Sequence, residues 1–270
     1  MNLDHLLPFL FLLSSLPGLA QSIRNPAGLP YLAAGTYGVH NPDPASCLAN
    51  PAAFSHLSKT AAAVYTERRF LIRELDLITC VAGIPLGSGV LGFGTGYSGF
   101  SDYHESYVAI AYAKKLGRID LGIRLNYEEL HIAGFGMDAA VMAEAGSIWH
   151  LSDKLHFGIN ILNPAGSKFI KSREKTASVI LMGLAFEPSA QLSIAGEIIK
   201  EEDKPANIRI GFEYTIMDHL FARAGLTTGQ SLPWMGIGWQ WRDIRAFVFN
   251  SYHPQLGISP GLEISFIPAN

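Results

Sequence analysis

From Gly117 to Tyr127 the chain reads GRIDLGIRLNY, and its residues separate by parity into two sets. Ile119, Leu121, Ile123, Leu125 and Tyr127 form one set; Arg118, Asp120, Gly122, Arg124 and Asn126 form the other. A β-strand sends successive side chains to opposite faces, so this stretch predicts a strand with one apolar and one polar face. In a soluble fold the apolar face would need a helical layer or a second sheet to cover it. The sequence supplies no such layer. The pattern instead recurs to the end of the chain: Leu155, Phe157, Ile159 and Ile161 oppose Lys154, His156, Gly158 and Asn160, and Ile208, Ile210, Phe212 and Tyr214 oppose Asn207, Arg209, Gly211 and Glu213. Leu262, Ile264 and Phe266 likewise oppose Gly261, Glu263 and Ser265. Strands of this kind can close into a barrel with its apolar side toward lipid and its polar side toward a lumen.

The alternation and its turn residues predict about fourteen strands, each near the ten or so residues that a tilted strand needs to cross a bilayer. They fall at Thr60–Phe70, Glu74–Ile84, Gly89–Phe100, Tyr103–Lys115, Arg118–Leu130, Met137–Leu151 and Lys154–Leu162. The second half adds Thr176–Glu187, Gln191–Lys200, Asn207–Ile216, Leu220–Thr227, Pro233–Trp241, Ile244–Asn250 and Gly261–Ile267. Thr176–Glu187 alternates poorly. Connections alternate between short turns (PLGS, KLG, LSD, PSA, MD, RD) and longer ones (SGFSDY, HIAGFG, NPAGSKFIKSREK, KEEDKPA, TGQSLP, SYHPQLGISP). Outer-membrane barrels have short turns on one side and longer loops on the other. Tyr97, Tyr103 and Tyr127 at one end, with Trp149, Tyr214 and Trp241 at the other, stand where aromatic girdles would lie; ordinary packing is the competing account.

Two segments precede the strands. Met1–Ala20 has the apolar run and small terminal residues of a signal peptide cleaved after Ala20, although Asp4 and His5 replace the usual basic start. Residues 21–59 are rich in Pro and Gly, which argues against wall strands. Tyr31, Leu32, Tyr37, Val39, Leu48 and Phe54 give the segment apolar mass to bury, so a lumenal hatch is favoured over a surface tail. The organisation expected is therefore 1–20 signal peptide, 21–59 hatch and 60–270 transmembrane β-barrel. Gly92, Gly94 and Gly96 share one strand face and leave room for the hatch to lie against it.

Composition narrows the function classes. Only 16% of residues are charged and the formal net charge is −3, so no basic surface for nucleic acid is present. Cys47 and Cys80 are the only cysteines; export would permit a bridge, and two free thiols are equally consistent. His104, Glu105 and Ser106, and more loosely Asp243, Ser251 and His253, are the groupings that resemble a hydrolytic triad, and Glu105 lies on the wrong face of its strand for the first. The nine His residues show no metal-ligand spacing, so no metal, cofactor or enzymatic activity is expected. The glycine-rich GFGTGYSGF lies within a strand, which excludes a phosphate loop. What remains is a lumen-facing set: Arg118, Asp120, Arg124, Asp138, Glu144, Arg209, Glu213, Arg223 and Arg245. These charges either line a conduit or neutralise one another around the hatch.

The stretch NPDPASCLANPAAF, Asn41–Phe54, resembles the segment before the first wall strand of FadL-like outer-membrane barrels, with Asp43, Asn50, Pro51, Ala52 and Ala53 carrying the match. The closing HPQLGISPGLEISF, His253–Phe266, is similar to the last hairpin of the PorV and PorQ-like branch, which is tied to type IX secretion. Cys47 stands where an aromatic is common, and the outer loops lack large insertions. The resemblance implies a bacterial outer-membrane barrel of fourteen strands with a lumenal hatch. Its partners would be outer-membrane lipid and either a hydrophobic small molecule to be passed or proteins of a secretion machinery to be assisted. A structural or adhesion barrel without a conduit is the alternative, and an outer-membrane hydrolase the third.

Overall fold

The computed structural model describes residues 36–40, 43–228 and 232–268. The signal-peptide expectation and residues 21–35 of the hatch lie outside them. Among the described residues, fourteen strands close into one antiparallel barrel. In chain order they are β1 Ala61–Arg68, β2 Asp76–Leu86, β3 Gly89–Phe100, β4 Tyr103–Leu116, β5 Ile119–Ile132, β6 Gly136–His150 and β7 Leu155–Leu162. Then follow β8 Val179–Ser189, β9 Leu192–Glu201, β10 Asn207–Met217, β11 Leu220–Thr227, β12 Leu232–Trp241, β13 Ile244–His253 and β14 Gly257–Phe266. Each strand pairs with the next, and the seam is zipped from Ala62 opposite Phe266 to Glu67 opposite Gly261.

The parity of β5 decides which face is which. Asp120, Gly122, Asn126 and Glu128 are buried, whereas Leu121, Ile123, Leu125 and Tyr127 are exposed, with Ile123 at 63%. A belt of exposed Ile, Leu, Val and Phe continues around the barrel, including Phe93, Ile110, Ile198, Ile210, Ile237, Val248 and Ile264. Monomeric soluble proteins rarely expose apolar patches beyond a few hundred Å², so a continuous belt of this kind calls for lipid. No described helix is long and apolar enough to cross a membrane; crossing belongs to the strands.

Strand prolines follow the ladder's needs. A proline has no N–H to give a neighbouring strand, so it suits a place where pairing has ended on one side. Pro85 lies beyond the last β1–β2 pair, Ala61 with Gly83. Pro260 pairs with Asn250 of β13 but lies beyond the last β1–β14 pair, and Pro233 precedes the first β12–β13 pair.

Some boundaries differ from the sequence reading. β13 runs to His253 and β14 starts at Gly257, so the long connection read from SYHPQLGISP shrinks to residues 254–256. β3 and β4 similarly leave only residues 101–102 between them, and β5 and β6 only 133–135. The segregation of loop lengths is thus weaker than the letters suggest, and residues 163–178 form the main long connection. Thr176 belongs to that connection, its hydroxyl donating to the Ser167 carbonyl, which is why the stretch around it alternates poorly. The two cysteines are free. Cys47 is buried inside, while Cys80 shares the outward parity of Ile78 and Ile84 on β2, so the wall separates them.

Candidate functional site

Two short 3-10 turns, Pro44–Leu48 and Pro51–His56, occupy the lumen. Each begins with a proline, whose missing N–H costs nothing in a first turn, and each is preceded by a side chain that caps it. Asp43 accepts from the Ala45 N–H at 2.9 Å, and Asn50 from the Ala52 N–H at 3.0 Å. Pro44, Ala45, Ser46, Cys47, Pro51, Ala52, Ala53 and Phe54 are all buried.

The wall holds this segment chiefly by its backbone. Arg124 of β5 donates to the Cys47 and Leu48 carbonyls at 2.9 and 3.0 Å while its Nε donates to Glu144 of β6 at 2.8 Å. Asn160 of β7 donates to the Ala49 carbonyl and to Glu144, both at 2.7 Å. The Asn50 amide donates to the Ile159 carbonyl at 3.3 Å. Upstream, the Tyr37 hydroxyl donates to Glu197 at 2.6 Å, and Glu197 lies 3.6 Å from Arg209. Burial, with the Glu197 carboxylate adding to it, pushes the Tyr37 phenol well above its usual range; burial likewise raises the Cys47 thiol.

Small wall residues make the space. A Cβ at Gly122 would overlap Pro51, at Gly146 the Asn50 side chain, at Gly92 the Phe54 ring, and at Gly158 or Gly183 the Tyr37 ring. Of the glycines singled out on β3, only Gly92 meets the segment. Gly96 faces Tyr107 and Thr79, and Gly94 has Ala109 and Tyr107 as its nearest side chains. The track of glycines that seats the segment runs instead across β2, where Gly83 meets Leu57 and Phe54, and then β3, β5, β6, β7 and β8.

The rest of the lumen holds a charge network and a row of rings. Arg223 of β11 donates to Glu213 at 2.5 Å and to Asp43 at 3.1 Å, and stands 3.7 Å from Glu263; Arg245 donates to Glu213 at 2.9 Å. Removing either partner of such a pair would leave an uncompensated interior charge, which explains why they come grouped. Beside them Tyr65, Phe249, Phe247 and Phe221 stack in sequence, with centroids 5.5, 5.7 and 5.7 Å apart. The Arg245 guanidinium lies 3.7 Å from the Phe221 ring centre and that of Arg223 5.1 Å from Phe247. Sequence reading passed over these rings, although Phe247 and Phe249 share the parity of Arg245 and Ser251 and so had to face inward.

The remaining lumen-facing candidates separate. Asp120, Arg124, Glu144, Arg209, Glu213, Arg223 and Arg245 lie inside. Arg118 is exposed and sits at the short-turn mouth, lining a cleft of about 330 Å³ with Val39, His40, Lys115, His150 and His156. Asp138 sits at the opposite mouth, accepting from the Lys171 and Ser172 backbone N–H groups at 2.9 and 2.7 Å and so fastening the long connection. Neither hydrolytic grouping assembles: His104 and Ser106 share the outward parity of Val108, and Asp243 and Ser251 lie at opposite ends of β13. Sequence spacing also missed a histidine cluster at the short-turn mouth, where His56 and His150 both reach Asp120.

No protein-family model matches this chain, and no curated protein matches its sequence. Solved structures do match its shape. A Pseudomonas aeruginosa FadL homologue superposes with a TM-score of 0.59 at 10% identity, covering 87% of this chain and 96% of that one. A deletion mutant of the TodX monoaromatic hydrocarbon channel gives 0.60 at 12% identity, over 88% and 96%. The P. putida toluene transporter TodX gives 0.55 at 11%, over 84% and 95%. At these identities the likeness is one of architecture, and this fourteen-stranded chain shares the fold of the FadL homologue and the TodX channel.

Proposed function

We propose that the barrel sits in a bacterial outer membrane and passes small apolar solutes, with residues 21–59 as a hatch that governs the path. Export by residues 1–20, with cleavage after Ala20, belongs to the same reading. The observation that carries it is the row Tyr65, Phe249, Phe247, Phe221 inside the lumen, beside the buried charges of Arg223, Glu213 and Glu263. Planar rings gain roughly 0.5–1.5 kcal/mol from a well-placed ring neighbour beyond the area buried, so the row favours an aromatic or compact apolar guest. Fold neighbours named as a toluene transporter and a monoaromatic hydrocarbon channel support the reading. Arg223 ties the row to the hatch, since it lies over Phe247 and holds Asp43 at once. Movement of Asp43 would release Arg223 from one of its acidic partners and uncover a ring face.

The test is uptake of a radiolabelled monoaromatic hydrocarbon by proteoliposomes holding the folded chain. Saturable uptake is expected, reduced about tenfold by Phe247→Ala with Phe249→Ala. Uptake no faster than through protein-free vesicles would remove the reading. The assisting role in secretion rests on the His253–Phe266 hairpin alone and would then be the one to pursue.

A further inference from the structure

At the short-turn mouth six side chains from six places in the sequence join into one chain of contacts. His56, the last residue of the second 3-10 turn, brings its Nε2 within 2.8 Å of Asp120 Oδ2 on β5, and His150 Nε2, at the end of β6, meets the same oxygen at 2.8 Å. His150 Nδ1 lies 2.9 Å from His156 Nδ1 on β7, His156 Nε2 is 3.1 Å from Glu187 Oε2 on β8, and His40 Nδ1 is 2.8 Å from the same Glu187 oxygen. Asp120 is fully buried, and its second oxygen has no hydrogen-bond partner among the described residues.

Counting protons exposes a deficit of positive charge. The contacts from Asp120 to His150, from His150 to His156 and from His156 to Glu187 each need one N–H, three in all. Two neutral imidazoles carry two. The third position is held by an extra proton or by a metal cation. A cation between His56 Nε2, His150 Nε2 and Asp120 lets both outer contacts close with ordinary tautomers: His150 donates through Nδ1 to His156 Nδ1, and His156 donates through Nε2 to Glu187. A metal-bound imidazole commonly passes its other N–H to a carboxylate or another acceptor, which fixes the ring.

We propose that His56, Asp120 and His150 form a site for a divalent transition ion of the zinc class. Their ligand atoms lie within 4.8 Å of one another. Two imidazoles and a carboxylate suit zinc, with ligand distances of about 2.0–2.2 Å reached by small ring rotations and a fourth position left for water. Access comes from the 330 Å³ cleft, which His150 lines. The ion would clip the end of the hatch, through His56, to wall strands β5 and β6. This inference does not depend on what the barrel passes.

The test uses the full chain, folded in detergent and stripped by a chelator, with Co²⁺ as a spectroscopic probe and Zn²⁺ as competitor. One equivalent of Co²⁺ should give the intense visible bands of tetrahedral coordination, bleached by Zn²⁺. His56→Gln and His150→Gln should abolish the signal, His156→Gln should weaken affinity about 10–100-fold, and His219→Gln, in an exposed turn, should change nothing. Barrel closure in every variant is checked by heat-dependent gel mobility. If His150→Gln fails to close, the wild-type titration and His56→Gln decide. A folded wild-type chain with no saturable tetrahedral signal, or a signal that survives His56→Gln, overturns the site and assigns the charge to a proton.

Discussion

Gly183 shows how little of the lumen is spare. The Tyr37 ring lies where a Cβ on Gly183 would stand, so alanine there must expel the ring or displace β8. Overpacking of this kind costs roughly 1–3 kcal/mol, and the Tyr37 hydroxyl would also leave Glu197 short of a donor. Gly183→Ala is therefore expected to lower the unfolding midpoint in urea, whereas Gly87→Ala, with nothing near its added carbon, should stay within about 0.5 kcal/mol of wild type. Equal midpoints for the two variants would show that Tyr37 is not seated against β8. Residue by residue, the contacts that fix the segment were the least legible part of the sequence. Arg124 and Asn160 grip the carbonyls of Cys47, Leu48 and Ala49, and a backbone carbonyl has no letter of its own. His56, Asp120 and His150 meet only because β5, β6 and the second 3-10 turn end at one mouth, a meeting that spacing along the chain cannot show.

Among the elements, β5 carries the sharpest test of the lipid reading. Leu125 is 55% exposed, a degree at which a soluble protein tolerates arginine without measurable loss. Near the middle of a strand facing hydrocarbon the same change costs about 2–4 kcal/mol. Leu125→Arg should accordingly destabilise the barrel when refolded into lipid vesicles, with the loss read from urea titration. An unchanged midpoint would argue for water outside β5. Strand identity was readable because parity survives in almost every wall segment, and the charges on β5 and β10 declared which face was inner. Loop lengths were not, because Gly, Ser and Pro letters such as those around Gly257 and Pro260 look like turns while their backbones remain in the ladder. A ladder tolerates Pro260 where pairing with β1 has stopped, and that depends on the neighbouring strand's length.

For the whole molecule, wall and filling rest on different bonds. Every strand is paired with two neighbours through the backbone, so the wall does not need residues 36–57 in order to close. Those residues in turn neutralise little of the interior charge, since Arg124 keeps Glu144 and Arg223 keeps Glu213 and Glu263 without them. A chain lacking residues 36–57 is expected to form a closed barrel with a wet, charged bore and to conduct ions in planar bilayers, with discrete openings absent from the full chain. A silent deletion variant with normal heat-dependent mobility would mean that the wall collapses inward to seal itself.

The seam between β1 and β14 sets an order of events. The last strand is also the final one made, and it must meet a first strand that begins only a few residues after the second 3-10 turn. Once that union forms, Phe54 and Tyr37 have no doorway through the finished wall. The interior segment is thus seated either while the sheet is still an open cradle or later through a mouth, and its short tether to Ala61 keeps it beside the short-turn mouth in both cases.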